Sequence, residues 1–298
     1  MDKEELRSVL SEHQLGRAAD RLMELAAPTV RIYLQQQDDA DLAVGSSKMG
    51  GVADLPEGVP WPSWHEPMAF IAQFNLADVA PYDPEGALPP QGLLSFFYET
   101  DGEPLYAARL ELPESASNIL DLDVSQSWRV LYHTGDPATF IRHQVPSGVA
   151  VAARYLPCVV RFALEYSLPY ISGPEIGLND AERNALIDIE HLINGGTWGD
   201  GGHHLLGFPY NLDGPALLGC AEESEHDSEW ERATLERRLE LEREASERWH
   251  LLLQVSGSDL TYMDWAGGGI LHFCIERAAL RDRDFSRVRL RGCFNKLL

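Results

Sequence analysis

Two stretches far apart in the chain carry the same pattern. Phe70-Ile71-Ala72-Gln73 is followed, after a loop, by Gly92-Leu93-Leu94-Ser95-Phe96-Phe97. Leu252-Leu253-Gln254-Val255 is followed by Gly269-Ile270-Leu271-His272-Phe273-Cys274. Each reads as an apolar strand with Gln near its end, a Gly-containing loop, and a second strand that opens on Gly and reaches Phe. Each is preceded by a Gly/Pro segment, Gly50-Gly51 to Leu55-Pro56 in one case and Leu206-Gly207-Phe208-Pro209 in the other. The Gln-to-Gly spacings, 19 and 15 residues, differ, so this is a weak duplication rather than a repeat array. A sheet with one apolar face needs something to bury it against. The expected fold is therefore α+β: two similar antiparallel β-rich halves, about 29–135 and 195–298, packed face to face as one unit over 1–298.

The remaining elements follow from local signals. Asp2, with Glu5 three residues on, forms a capping box for an amphipathic helix over 2–26, which Pro28 ends. A short strand is expected over Thr29–Leu34. Residues 45–67 are rich in Gly and Pro, which excludes a helix or a central strand; Trp61 and Trp64 suggest an ordered loop over the core. Further strands are expected at 104–112, 128–132 and 287–290. Asn179 caps a mid-chain helix that Gly195-Gly196 ends. Residues 222–249 read as a charged helical insertion; 222–248 hold eleven acids and five arginines. That segment is either a solvated helix or a docking arm for a basic partner.

Charge and cysteine content exclude several functions. The chain has 298 residues, a net charge of −23 and a pI near 4.7. Such a chain does not present the clustered Lys and Arg that nucleic acid requires. No apolar run is long enough to cross a membrane, and residues 1–26 lack an apolar signal core, so no membrane association is expected. Cys158, Cys220, Cys274 and Cys293 show no zinc spacing and read as buried free thiols of a cytoplasmic protein; an even count leaves disulfides as the alternative. Phosphate-loop, dinucleotide and serine-nucleophile motifs are absent, and His65-Glu66 runs into Pro67 instead of a zinc-binding helix. No metal or cofactor is expected.

Several segments resemble the YwqG-like bacterial family, a domain of unknown function. They are K-M-G-G-V-A-D-L-P with the later W-P (Lys48 to Pro62), F-I-A-Q-F-N-L (Phe70 to Leu76), L-P-P-Q-G-L-L-S-F-F (Leu88 to Phe97), H-L-L-G-F-P (His204 to Pro209), L-L-L-Q-V (Leu251 to Val255) and W-x-x-G-G-I-L-H-F (Trp265 to Phe273). The resemblance carries no established activity. It implies kinship with proteins suspected of belonging to toxin-immunity loci; the acidic charge of the chain, for its part, suits capture of a basic protein partner.

The polar and aromatic residues at the breaks define a candidate site. Gln73 and Gln254 occupy matching places; each amide ties a loop to its sheet, or the two face each other across a ligand groove. Trp61, Trp64, Trp198 and Trp265 flank Gly/Pro breaks, where they seal the core or line a pocket. Asp200 and His203 share a Gly-rich loop and are the candidate acid/base pair of an alternative, enzymatic reading. The leading expectation is a binding or interaction protein.

Overall fold

In chain order the strands are β1 (Ala27–Gln36), β2 (Lys48–Met49), β3 (Asp54–Leu55), β4 (Ala69–Asn75), β5 (Leu93–Tyr98), β6 (Trp128–His133), β7 (Ile141–Arg142), β8 (Cys158–Ser167), β9 (His203–Leu205), β10 (Trp249–Ser256), β11 (Ile270–Glu276) and β12 (Arg289–Cys293). The computed structural model describes residues 1–99, 126–169, 177–195, 202–212, 214–221, 232–265 and 268–293. The strand expected at 104–112 lies outside these residues, as does 222–231 of the charged insertion.

Ten strands join in one antiparallel sheet, ordered β12-β11-β10-β9-β1-β8-β2-β4-β5-β6. β1 and β8 are its centre, paired over ten residues from Ala27↔Ser167 to Gln36↔Cys158. Four strands flank this pair on each side. The β4–β5 register slips between Phe70 and Ala72, and the β10–β11 register between Leu251 and Leu253. Such bulges sharpen twist and bend a sheet. The sheet curls until it is nearly closed and barrel-like. Trp128 Nε1 on β6 donates to the Val288 carbonyl just before β12, at 2.8 Å, and the Tyr132 ring lies 5.1 Å from that of Phe285.

The curled sheet encloses one large core. Val30 and Ile32 from the centre, Phe74 and Phe96 from one side, and Leu253 and Phe273 from the other belong to it. The Phe96 and Phe273 rings meet edge to face at 5.1 Å. A second core lies outside, where α1 (Lys3–Glu12), α2 (Ala19–Leu25) and α4 (Asp180–Asn194) bring Leu6, Leu10, Leu22, Leu186 and Ile189 together. The other helices are α3 (Leu76–Val79), α5 (Ala216–Ala221), α6 (Leu235–Arg248) and α7 (Arg277–Arg281).

Two expectations are corrected. The helix over 2–26 starts at its Asp2–Glu5 capping box but breaks after Glu12. Gln14 turns left-handed at φ 63°, and Leu15 N–H reaches back to Leu10 O at 2.8 Å. The break lets Leu15 join the core beside α4, which a straight helix would turn away. The 45–67 segment also does contain a central strand: β2 lies between β8 and β4. It is only two residues long because Gly50 and Gly51, both at positive φ, turn the chain out of the sheet.

Candidate functional site

Gln73 is fully buried on the sheet face turned away from the large core, since its neighbours Ala72 and Phe74 belong to that core. Its Oε1 accepts from Asp54 N–H at 2.9 Å. Its Nε2 donates to the Ser46 carbonyl at 2.9 Å and to Asp54 Oδ2 at 2.8 Å. Gln254 is likewise fully buried, between core residues Leu253 and Val255. Its Oε1 accepts from Tyr210 N–H at 2.9 Å and from His272 Nε2 at 3.1 Å. Its Nε2 faces the carbonyls of Asn194, Gly195 and Gly202 at 3.0 to 3.2 Å. Each amide clamps a loop to the sheet. The two do not face each other: β2, β8, β1 and β9 lie between their strands. With both amides on the outer face, no groove of paired amides forms.

A buried ionic cluster surrounds Gln73. Its cross-strand partner Lys48 has a fully buried side chain. Lys48 Nζ lies 2.5 Å from Asp39 Oδ1 and 3.8 Å from Asp54 Oδ2. Asp54, also buried, accepts from Arg142 Nε at 2.9 Å, Arg142 Nη2 at 3.2 Å and Gly45 N–H at 2.9 Å. Two cations and two carboxylates balance. Burial pushes the Lys48 ammonium below its ordinary pKa. Burial alone would raise Asp54, but Arg142 and Lys48 outweigh it and hold the carboxyl below the usual range. Sequence reading missed this cluster; the one available signal was a lysine two residues before Gly50-Gly51.

Around Gln254 the cross-strand register places Arg31, His204, Gln254, His272 and Arg291 in one row over five adjacent strands. Arg31 pairs with buried Glu165 at 2.9 Å. His204 Nδ1 donates to the Leu206 carbonyl at 3.0 Å. Burial first, and then the Arg31 charge, push His204 well below its ordinary pKa. His203 points to the opposite face, and its Nδ1 accepts from Ser256 N–H at 3.3 Å. Burial and Arg31 lower its pKa to about 3. A fully buried, neutral imidazole is closed to substrate, which corrects the expectation of His203 as acid/base. Asp200 and Trp198 lie outside the described residues.

The remaining tryptophans do not share a seam. Trp61 and Trp64 pack on Leu55, Phe70 and Phe97 in a third, smaller cluster, and Trp61 Nε1 donates to Met68 O at 2.9 Å. Trp265 belongs to the large core, 5.7 Å from the Tyr155 ring and 6.3 Å from Tyr98. Their breaks sit on opposite faces of the sheet, so their rings seal different interiors. Cys158, Cys220, Cys274 and Cys293 are buried free thiols. Among the described residues no three His, Cys, Asp or Glu side chains converge as a metal site, and no helix is long and apolar enough to cross a membrane.

No curated protein matches the chain. A family described as a domain of unknown function, DUF1963, matches residues 47–291, which run from just before β2 into β12 and include both glutamine clamps. The chain belongs to that family.

Proposed function

We propose that this chain is a binding protein rather than a catalyst, built of two related halves, that takes a basic protein partner. The observation that carries the first part is the state of its buried polar groups. Gln73, Gln254, Lys48 and Asp54 are fully buried and bonded to the protein's own loops and side chains. Groups so enclosed hold a scaffold and leave recognition to the surface. The enzymatic reading loses its base with His203.

Matching positions support the two halves. Lys48 pairs with Gln73 as His204 pairs with Gln254, and both bulges fall two residues before the glutamine. Asn75 N–H donates to Ser47 Oγ, as Ser256 N–H does to His203 Nδ1. The motifs shared with YwqG-like proteins support an immunity-type role, and four buried thiols support a reducing compartment such as the cytoplasm.

A net charge of −23 supports a basic partner. On α6, Glu236, Glu240 and Glu244 recur every four residues and are exposed. The test is affinity capture from host lysate at low salt, repeated with Glu236→Gln/Glu240→Gln/Glu244→Gln. A basic protein is expected that elutes with salt and is retained less by the variant. Recovery of no basic protein overturns the reading.

A further inference from the structure

A groove of about 640 Å³ opens where the Glu85–Pro90 turn faces β10, the end of α6, and α7. Its far wall carries His250, Arg277, Arg281 and Arg283, with Glu85 and Glu247 also lining it. Three guanidiniums on one groove stand out in a chain with about twice as many acids as bases. Several arginines elsewhere are engaged by carboxylates, Arg17 by Glu182, Arg31 by Glu165, Arg142 by Asp54, and Arg248 and Arg287 by Glu276, whereas Arg129 and Arg154 bond to carbonyls close by in the chain. Among the described residues, none of the three groove arginines has a carboxylate within ion-pair distance. Arg277 Nε and Nη2 reach the Ser246 carbonyl at 3.4 and 3.3 Å, Arg281 Nε reaches the Arg277 carbonyl at 3.3 Å, and the Arg283 guanidinium makes no hydrogen bond among the described residues, although its backbone N–H donates to the Leu280 carbonyl at 3.0 Å. Arg277 and Arg281 are one turn apart on α7, so their heads share a face.

We propose that this groove binds a small phosphorylated polyol, with its phosphate monoester on the arginines and its hydroxyls toward Glu85 and Glu247. Planar guanidinium forks match phosphate oxygens, and carboxylates accept from hydroxyls. The volume suits a metabolite-sized ligand. Leu88 and Leu280, both buried, give the lining its apolar part. His250, held neutral at a pKa of about 4 by burial and the Arg277 charge, adds an uncharged hydrogen-bonding group. Nucleic acid fits poorly, because the whole chain repels a polyanion and, among the described residues, no Phe, Tyr or Trp lines the groove for stacking. A small anion senses mainly the local charges, because longer-range repulsion is screened at physiological salt.

The test is calorimetric titration with glucose 6-phosphate, inorganic phosphate and glucose. Glucose 6-phosphate is expected to bind saturably and more tightly than phosphate, with glucose inactive. Arg281→Ala/Arg283→Ala is expected to weaken binding by about tenfold or more, since charge-assisted bonds are lost. Arg21→Ala on α2 is expected to leave it unchanged. Both variants are first checked for unaltered unfolding temperature. No saturable binding, equal binding of phosphate and glucose 6-phosphate, or indifference to the double variant overturns the proposal. None of these outcomes bears on whether a basic protein is captured.

Discussion

Gln73 Oε1 accepts from Asp54 N–H and Gln254 Oε1 from Tyr210 N–H, both at 2.9 Å. Each donor lies six residues after the glutamine's own cross-strand partner, Lys48 or His204. Between partner and donor, Gly50-Gly51 and Leu206-Gly207 occupy the same two places, all four at φ of 61° to 72°. The same turn is thus closed twice by the same kind of amide. Their surroundings differ: a charged cluster encloses one, whereas a histidine and three carbonyls enclose the other.

That difference ranks two substitutions. Gln73→Met leaves Asp54 N–H and the Ser46 carbonyl without their partner, and a cost of about 2 kcal/mol is expected. Gln254→Met strips Tyr210 N–H, His272 and the carbonyls around Nε2, and about 3–4 kcal/mol is expected. Urea unfolding of both variants measures the order; a costlier Gln73→Met would contradict it.

The turn glycines make a second prediction. A Cβ on Gly51 would lie 2.1 Å from Asp39 Oδ2, and one on Gly207 1.9 Å from Thr29 Oγ1. Gly51→Ala and Gly207→Ala are each expected to cost more than about 2 kcal/mol, combining left-handed strain with a clash. Gly58, at φ 80° with nothing within 4 Å, isolates the strain alone. Gly58→Ala is expected to cost about 1 kcal/mol. Equal losses at all three positions would remove the steric argument.

The strands around the clamps were legible because apolar runs ending in Gln and Gly mark strand, stop and turn in short range. β8 escaped, although it pairs along the whole of β1. Its run Cys158–Ser167 contains Arg161 and Glu165; a buried Glu165 looks wrong for a central strand until Arg31, diagonally across on β1, is seen to pair with its carboxylate. The Lys48 cluster was hidden for the same reason. Arg142 is 88 residues from Asp54, and no local pattern announces such a partner. The break in the first helix depends on where Leu15 packs, which is a tertiary matter. The described members of the candidate site, Gln73, Gln254, Trp61, Trp64 and Trp265, were not brought together because similar sequence at two loops predicts similar local geometry, not proximity.

Arg142 is expected to matter more than its partial exposure suggests. Arg142→Met leaves the buried Asp54 carboxylate with Lys48 at 3.8 Å as its remaining close cation. Breaking a buried pair from one side typically costs about 3–5 kcal/mol. Arg142→Met/Asp54→Leu removes both charges and is expected to be less destabilised than Arg142→Met alone. A double variant worse than the single one would show that packing, not charge, dominates.

Stability should fall with acid from an unusually high pH. His203 and His204 are neutral in the fold, with pKa values of about 3 and well below the ordinary 6.5. In the unfolded chain both take up protons as the pH drops through about 6.5, so the unfolded state is favoured from there downward. Each adds a slope of up to about 1.4 kcal/mol per pH unit, which for His203 persists to about pH 3. Asp54 and Glu165, both held low, add their own loss only below the ordinary carboxylate range. Denaturant midpoints between pH 7 and 5 follow this loss, to which His250, held at about 4, adds and which Glu190, raised by burial, opposes, so the comparison with a histidine variant carries the test. His203→Asn is expected to flatten that slope, and an unchanged slope would mean that the imidazole is not buried neutral.

The last prediction concerns the shared core. Phe96 and Phe273 meet at 5.1 Å from strands at opposite sides of the sheet order, inside one apolar cluster. Either ring truncated to Ala should cost about 3–5 kcal/mol, as a buried Phe does. The informative quantity is the coupling between them. An edge-to-face pair contributes about 0.5–1.5 kcal/mol beyond the burial of each ring. The cost of Phe96→Ala/Phe273→Ala should therefore fall short of the sum of the singles by at least that amount, because the second truncation removes a contact already lost. Phe96→Leu and Phe273→Leu repeat the cycle with less cavity. Additive losses in both cycles would mean that the two sides of the sheet have separate interiors. Coupling would mean that neither side holds its core without the other.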